Sequence, residues 1–316
     1  MSSNLTKIKL SNGNEIPILG LGTYKAKGGE LITTIRDAID IGYRHFDTAD
    51  FYENMESLGE AIREVIANGK VKRDELFITT KVWPTYYGEG RVEASVRKQL
   101  KQSGLDYFDL VLLHWPIVFR DDDSSEGFPL GEDGKIAIGT RPLTEVYKEL
   151  EKVQIAGLTR SIGVSNFNSS QIDRIVQSAS IQPVMNQVEA HVYLSQKKLQ
   201  QFCSERKIVL TAYCPLAAGG NKSFNLLEDK TLNLIANNYK KSAAQIAIRY
   251  LIQRGLVAIP KSIRKERLES NFNVFDFEIT NEDMETLKSL DYGKRAVWFD
   301  FFGTKDAEEY PFKAEF

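Results

Sequence analysis

Little cysteine, little histidine and almost no net charge mark this chain, and each shortage removes a class of protein. The 316 residues contain only two cysteines, Cys203 and Cys214. A disulfide scaffold is therefore excluded, and a reduced, cytoplasmic protein is expected. The three histidines, His45, His114 and His191, show no metal-ligand spacing, so no bound metal is expected. Basic residues number 41 and acidic ones 43, a net charge of −2. No overall field then draws the protein onto nucleic acid or an anionic membrane. No apolar run approaches the ~18 residues needed to cross a bilayer. The N-terminus, Met1-Ser2-Ser3-Asn4-Leu5, has neither the basic nor the apolar region of a secretion signal. What is present is 42% hydrophobic and 27% charged, an ordinary globular mix that can build a large core.

Short β-branched runs alternate with longer amphipathic stretches along the whole chain. The strand candidates are residues 18–23, 45–48, 76–81, 110–114, 161–165, 184–187, 208–213 and 257–261. Helical periodicity is plain over Leu31 to Ile41 and Arg91 to Gln102, and Ser242 with Gln245 reads as a capping box. Strict alternation implies parallel strands, since parallel neighbours need a crossover of roughly a dozen residues. Eight such units suit a closed (β/α)8 TIM barrel, with residues 1–316 as a single domain. The rival, an open dinucleotide-binding sheet, would carry a third glycine after Gly20-Leu21-Gly22, but Thr23-Tyr24-Lys25 follows. Ahead of the barrel, Ser11-Asn12-Gly13-Asn14 sits between two short extended runs and predicts a hairpin plug at the barrel's bottom, with positive φ tolerated at Asn12 and Gly13. Two strand-to-strand connections are long, after His114 and after Tyr213. They hold Asp121–Gly127, an acidic run that reads as a solvated loop, and Ala217–Asn221.

The most informative feature is how the strands end. A strand buried on both faces should be apolar throughout, yet these finish in Thr23, Asp47, Lys81, His114, Ser165-Asn166, Gln187, Tyr213 and Lys261-Ser262. In a barrel those ends share one rim, where sites are built. Asp47 and Lys81 end adjacent strands, and Tyr52 follows five residues after Asp47. An ammonium within about 4 to 6 Å lowers a phenol's pKa by roughly one to three units, so Tyr52 is expected to serve as a proton donor near neutrality. His114 would orient a substrate oxygen. Each residue alone also fits an ordinary buried ion pair or core aromatic, but four together at three consecutive strand ends point to a site.

At this point the chain resembles the aldo-keto reductase family. The resemblance rests on Gly20-Leu21-Gly22-Thr23, on Gly42-Tyr43-Arg44-His45-Phe46-Asp47-Thr48-Ala49 with Tyr52, and on Lys81-Val82-Trp83. It continues through His114-Trp115-Pro116, Gly163-Val164-Ser165-Asn166-Phe167 and Ile259-Pro260-Lys261-Ser262 to Tyr310-Pro311-Phe312. It implies NADPH-dependent reduction of a carbonyl, with Tyr52 as general acid, Lys81 and Asp47 tuning it, and His114 positioning the carbonyl. By the same resemblance Ser165, Asn166 and Gln187 would hold the nicotinamide carboxamide and Tyr213 would stack on its ring. Gly22, Thr23 and Asp47 would lie on the ribose side, and Leu216 would meet the pyrophosphate through its backbone. Cys214 stands where relatives often have Ser.

The near-zero charge hides a basic cluster at the last strand. Lys261, Arg264, Lys265 and Arg267 against Glu266 leave +3 over residues 261–267, a pattern that suits phosphate. The resemblance implies that Lys261, Ser262 and Arg267 grip the adenosine 2′-phosphate and that Asn271 and Arg264 meet the adenine. NADPH is then preferred over NADH. Ser270 stands where many relatives carry a Glu that helps hold adenine, and Ile263 where dual-cofactor xylose reductases have Asn.

Tyr24, Phe51, Trp83 and Trp115 neighbour the catalytic strand ends, and Trp298 to Phe302 form a C-terminal substrate loop beyond the last helix. Aromatic walls favour apolar or aromatic carbonyls over small sugars, on a monomer. Two alternatives stay open: a reductase of steroid- or prostaglandin-type ketones on the same machinery, and a non-enzymatic relative such as a lens crystallin or a potassium-channel β subunit.

Overall fold

The N-terminal strands β1 (Lys7–Lys9) and β2 (Glu15–Pro17) pair antiparallel. In this computed structural model, which describes residues 6–120, 127–218, 224–314 and 316, they cover the barrel's lower end. Leu10 and Ile16 pack with Phe77, Leu110, Met185 and Val257 inside it. The side-chain amides of Asn12 and Asn14 each donate at 3.0 Å to Ser161 Oγ. The turn differs from the expected pair of positive-φ residues, because Gly13 alone has positive φ. Leu10 N donates to Asn14 O at 2.8 Å and Gly13 N to Leu10 O at 3.0 Å, so three residues, ending on one left-handed glycine, make the turn.

The eight apolar runs become β3 (Leu21–Gly22), β4 (His45–Asp47), β5 (Phe77–Val82), β6 (Leu110–Leu113), β7 (Ile162–Ser165), β8 (Met185–Glu189), β9 (Val209–Tyr213) and β10 (Val257–Ala258). Each lies parallel to its sequence neighbour. The sheet closes on itself through bridges from Leu19 to Ala258 and from Gly22 to Lys261. A Cβ on Gly22 would stand 3.0 Å from the Ile259 carbonyl, so this glycine permits the close approach that seals the barrel. The first and last strands are shorter than their apolar runs, because the seam is held by single bridges rather than a continuous ladder.

Helices α1 (Gly28–Ile41), α2 (Met55–Ala67), α3 (Arg91–Ser103), α4 (Leu143–Ile155), α5 (Ser169–Ser178) and α6 (Lys197–Glu205) each return the chain to the next strand. α7 (Lys230–Asn238) and α8 (Ala243–Gln253) share the seventh crossover, and α9 (Lys265–Phe272) packs on α1 to complete the ring. α10 (Asn281–Ser289) is an addition to the eight units. The capping box before α8 is present: Ser242 Oγ accepts from Gln245 N at 3.2 Å, and Gln245 Oε1 accepts from Ser242 N at 2.9 Å. The acidic run Asp121–Glu126 and residues 219–221 lie outside the described residues. Among the described residues no helix is long and apolar enough to cross a membrane.

Candidate active site

β4 and β5 are adjacent and in register, so Asp47 and Lys81 rise to the same rim. Lys81 Nζ donates to Asp47 Oδ1 at 2.6 Å and to the Thr48 carbonyl at 2.9 Å. From β8, across the barrel, Gln187 Nε2 donates to the other Asp47 oxygen at 2.7 Å. Both charges are almost completely buried. Burial pushes the Asp47 carboxyl up and the Lys81 ammonium down from their ordinary values, and their mutual attraction offsets part of each shift.

Beyond β4 a single 3₁₀ turn, Asp50–Tyr52, folds the chain back over the rim, and Glu53 at φ 51° completes the reversal. This brings Tyr52 Oη to 3.4 Å from Lys81 Nζ. Asn54, absent from the sequence-based candidates, pins the turn. Its Nδ2 donates to the Thr23 and Ala26 carbonyls, each at 3.1 Å, and its Oδ1 accepts from Thr48 Oγ1 at 2.7 Å. One expectation is corrected here. Burial raises the Tyr52 phenol well above 10, and the Asp47 carboxylate adds to the rise. The Lys81 charge is matched by Asp47 at 2.6 Å and gives the phenol little net field. Tyr52 therefore keeps its proton throughout the neutral range, which is the state a proton donor needs.

His114 follows β6, its ring edge-on to Tyr52 with centroids 5.9 Å apart and to Trp83 at 5.1 Å. Burial, and secondarily the Lys81 charge, lower its pKa well below 6.5, so the ring is neutral and carries a single N–H. Its Nδ1 is buried and finds no partner among the described residues. The Asn166 amide donates to the His114 carbonyl at 2.9 Å and fixes this strand end.

The residues expected to hold a dinucleotide continue around the rim. Ser165 Oγ donates to the Gln187 carbonyl at 2.8 Å, and the Tyr213 hydroxyl donates to Asn166 Oδ1 at 2.7 Å, with Asn166 itself at φ 65°. Thr23 Oγ1 donates to the Asp47 carbonyl at 2.9 Å. Cys214 has φ 47°, and burial pushes its thiol up to about 12, which makes it a poor nucleophile. The backbone N–H of Leu216, two residues on, has no partner among the described residues, nor does the side chain of buried Asn271. Lys261, Arg264 and Arg267 are exposed and pair with no acidic side chain among the described residues, whereas Lys265 reaches Asp37 at 3.6 Å. Ser262 Oγ accepts from Arg264 N at 3.2 Å. Three uncommitted cations, an open amide and an open N–H are a donor set that fits phosphates and a purine. Ser270 is half-buried on α9, and Ile263 is exposed beside the cations.

Aromatic side chains wall the other half of the rim. Phe51 stacks on Trp83 at 4.0 Å, and Tyr24 leans on Tyr52 at 5.0 Å. Trp115 stacks on Phe299 at 4.1 Å, and Phe119 lies parallel to Phe299 with ring centroids 6.1 Å apart. Trp298 is half exposed and set edge-on to Phe312, so Phe299 rather than Trp298 takes the inner position. Phe119 and Phe128, whose rings meet Trp83 at 6.2 and 5.6 Å, and Glu189, which binds the C-terminal arm, are further members that the sequence pattern did not single out. Glu189 did leave a trace, as a carboxylate two residues past Gln187 at the end of a buried strand.

The match to known proteins agrees with this geometry. The model of the "Aldo/keto reductase family" matches residues 18–292. "Aldo-keto reductase family 1 member C15" of Rattus norvegicus is 40% identical over 98% of both chains. "Aldose reductase C" of Dictyostelium discoideum is 40% identical over 95% of this chain and 94% of its own. The solved structure of the aldose reductase from Schistosoma japonicum superposes with a TM-score of 0.92 at 36% identity, covering 98% of this chain and 100% of that one. The chain belongs to the aldo/keto reductase family.

Proposed function

We propose that the protein is an NADPH-dependent reductase of apolar and aromatic aldehydes and ketones, working as a monomeric, cytoplasmic, single-barrel enzyme on small carbonyl substrates. The observation that carries the reading is the Tyr52 hydroxyl 3.4 Å from the buried Lys81 ammonium, beside the neutral His114 ring. Aldo/keto reductases generally use NADPH or NADP+; NADPH, when bound, would supply the hydride that the carbonyl carbon receives. The residues do the rest. His114 donates its N–H to the carbonyl oxygen and orients it, and Tyr52 protonates that oxygen as negative charge develops there. Tyr52, left without its proton 3.4 Å from Lys81 Nζ, recovers one from solvent. Ser165, Asn166, Gln187 and Tyr213 would hold the nicotinamide end. Gly22, Thr23 and Leu216 follow along the ribose and pyrophosphate, and Lys261, Ser262, Arg264, Arg267 and Asn271 complete the adenosine phosphate end. Uncommitted cations at that end favour NADPH over NADH.

The aromatic walls support a second reading within the same chemistry, a reductase of bulky ketones. "Prostaglandin F synthase 1" of Bos taurus, 39% identical over the whole chain, is a relative of that kind by name. A panel of carbonyls run with NADPH and then NADH tests both. Reduction of aromatic aldehydes with at least tenfold preference for NADPH supports the proposal. A much higher kcat/KM for bulky ketones selects the second reading, and no turnover of any carbonyl rejects both.

A further inference from the structure

Glu189 ends β8 two residues past Gln187, is fully buried, and has both carboxylate oxygens filled. Oε1 accepts from Ala296 N at 2.5 Å and faces His191 Nε2 at 3.0 Å. Oε2 accepts from Val297 N at 3.1 Å and from Arg295 Nη1 at 3.5 Å. Three of its four partners thus belong to the C-terminal arm, more than a hundred residues away in the chain. A buried carboxylate needs such donors, and hydrogen bonds to a charged acceptor are the strong kind.

The surrounding contacts make this point the root of the arm. Just upstream, Lys294 N donates to the Tyr193 carbonyl at 3.0 Å, and the Lys294 ammonium lies 5.3 to 5.8 Å from the rings of Tyr193, Phe224 and Tyr292. Just downstream, Phe299, two residues after Val297, stacks on Trp115 in the pocket wall. The far end of the arm is held differently. Arg174 meets Glu309 with two hydrogen bonds, at 2.7 and 2.6 Å, at an exposed site where an ion pair contributes little. Gln171 Nε2 also donates to the Glu309 carbonyl and carboxylate at 2.9 Å, and Ile136 N donates to the Phe302 carbonyl at 2.8 Å. The buried, charge-assisted contact at Glu189 is thus the root, and the rest of the arm is held by further hydrogen bonds and a surface ion pair.

We propose that Glu189 is a positioning residue that fixes the C-terminal arm to the barrel and so sets the preference for bulky aromatic carbonyls over short aliphatic ones. The specificity half rests on the reductase reading above; the anchoring half does not. The test uses the full-length chain with Glu189→Ala and Glu189→Gln, read in two ways. One readout is limited trypsin cleavage after Lys294 and Arg295 under native conditions. The other is the ratio of kcat/KM for an aromatic aldehyde to that for a short aliphatic aldehyde.

For Glu189→Ala, cleavage accelerates at least about tenfold. The ratio falls about tenfold, mostly through KM for the aromatic aldehyde. Glu189→Gln, which keeps one acceptor, falls between wild type and Ala in both readouts. Unchanged protection of the arm overturns the proposal. So does a proportional loss of kcat/KM for both aldehydes, which would mark Glu189 as a general structural residue. If the wild type reduces neither aldehyde, the reductase reading falls and takes the specificity half with it, while proteolysis still decides whether Glu189 holds the arm.

Discussion

The floor of the site and its C-terminal wall are built on opposite principles. Asp47, Lys81 and His114 stand on or just beyond consecutive parallel strands, buried and held by hydrogen bonds from three directions. The wall, Trp298 to Phe302, comes from a chain segment beyond the last helix and is secured at a few points. The difference teaches where chemistry and selectivity reside. Reacting groups must keep sub-ångström geometry and sit on the scaffold, whereas the shape of the pocket is carried by a segment that can vary without disturbing them.

Breaking the floor should cost most. Lys81→Met leaves the Asp47 carboxylate buried without its cation. We expect a loss of about 3–5 kcal/mol in urea unfolding and roughly a 10³-fold fall in carbonyl turnover. A variant as stable as wild type would show that the pair is not the keystone of this rim.

The buried histidines provide a pH test. His45, fully buried, has its pKa pushed down to about 3. Between that value and about 6.5 the unfolded chain binds the extra proton and the folded chain does not, so stability falls as pH falls through this window and is unaffected above it. By pH 4 the loss from His45 alone is about 3 kcal/mol, to be read from unfolding curves at pH 7, 5.5 and 4. A flat profile would contradict burial of the neutral ring.

The phosphate end should respond less. Lys261→Ala and Arg267→Ala each remove one exposed cation. We expect NADPH binding to weaken roughly tenfold, with NADH binding nearly unchanged, by fluorescence titration. Equal weakening of both cofactors would place these residues away from the 2′-phosphate. The smallest effects belong to the surface of the wall. Arg174→Ala should change stability by less than about 1 kcal/mol. Trp298→Ala, because its ring is half exposed, should raise KM for an aromatic aldehyde only about two- to threefold.

The legible part of the molecule follows the same division. Polar residues that close apolar runs mark a rim directly, so Asp47, Lys81, His114, Ser165, Asn166, Gln187 and Tyr213 could be named from spacing, and the family motifs added their expected roles. Asn54 escaped because it serves a turn through two backbone carbonyls and the Thr48 hydroxyl, and Glu189 because three of its four partners lie on a remote segment. Phe119 and Phe128 escaped because a loop aromatic carries no periodicity that says which way it faces. The direction of the Tyr52 shift also required three dimensions: proximity of an ammonium is readable in sequence, but burial of the phenol and the prior claim of Asp47 on that ammonium are not. Likewise, Asn12-Gly13 signalled a turn, and only the closing bond from Leu10 to Asn14 fixed its kind.

The central claim is that Tyr52 delivers the proton while the rest of the rim binds and orients. Its most direct test is Tyr52→Phe, assayed for NADPH binding by fluorescence and for oxidation of NADPH by an aromatic aldehyde. The account predicts turnover reduced by about 10³-fold or more with NADPH affinity within about twofold of wild type. Turnover equal to that of the wild type would contradict it.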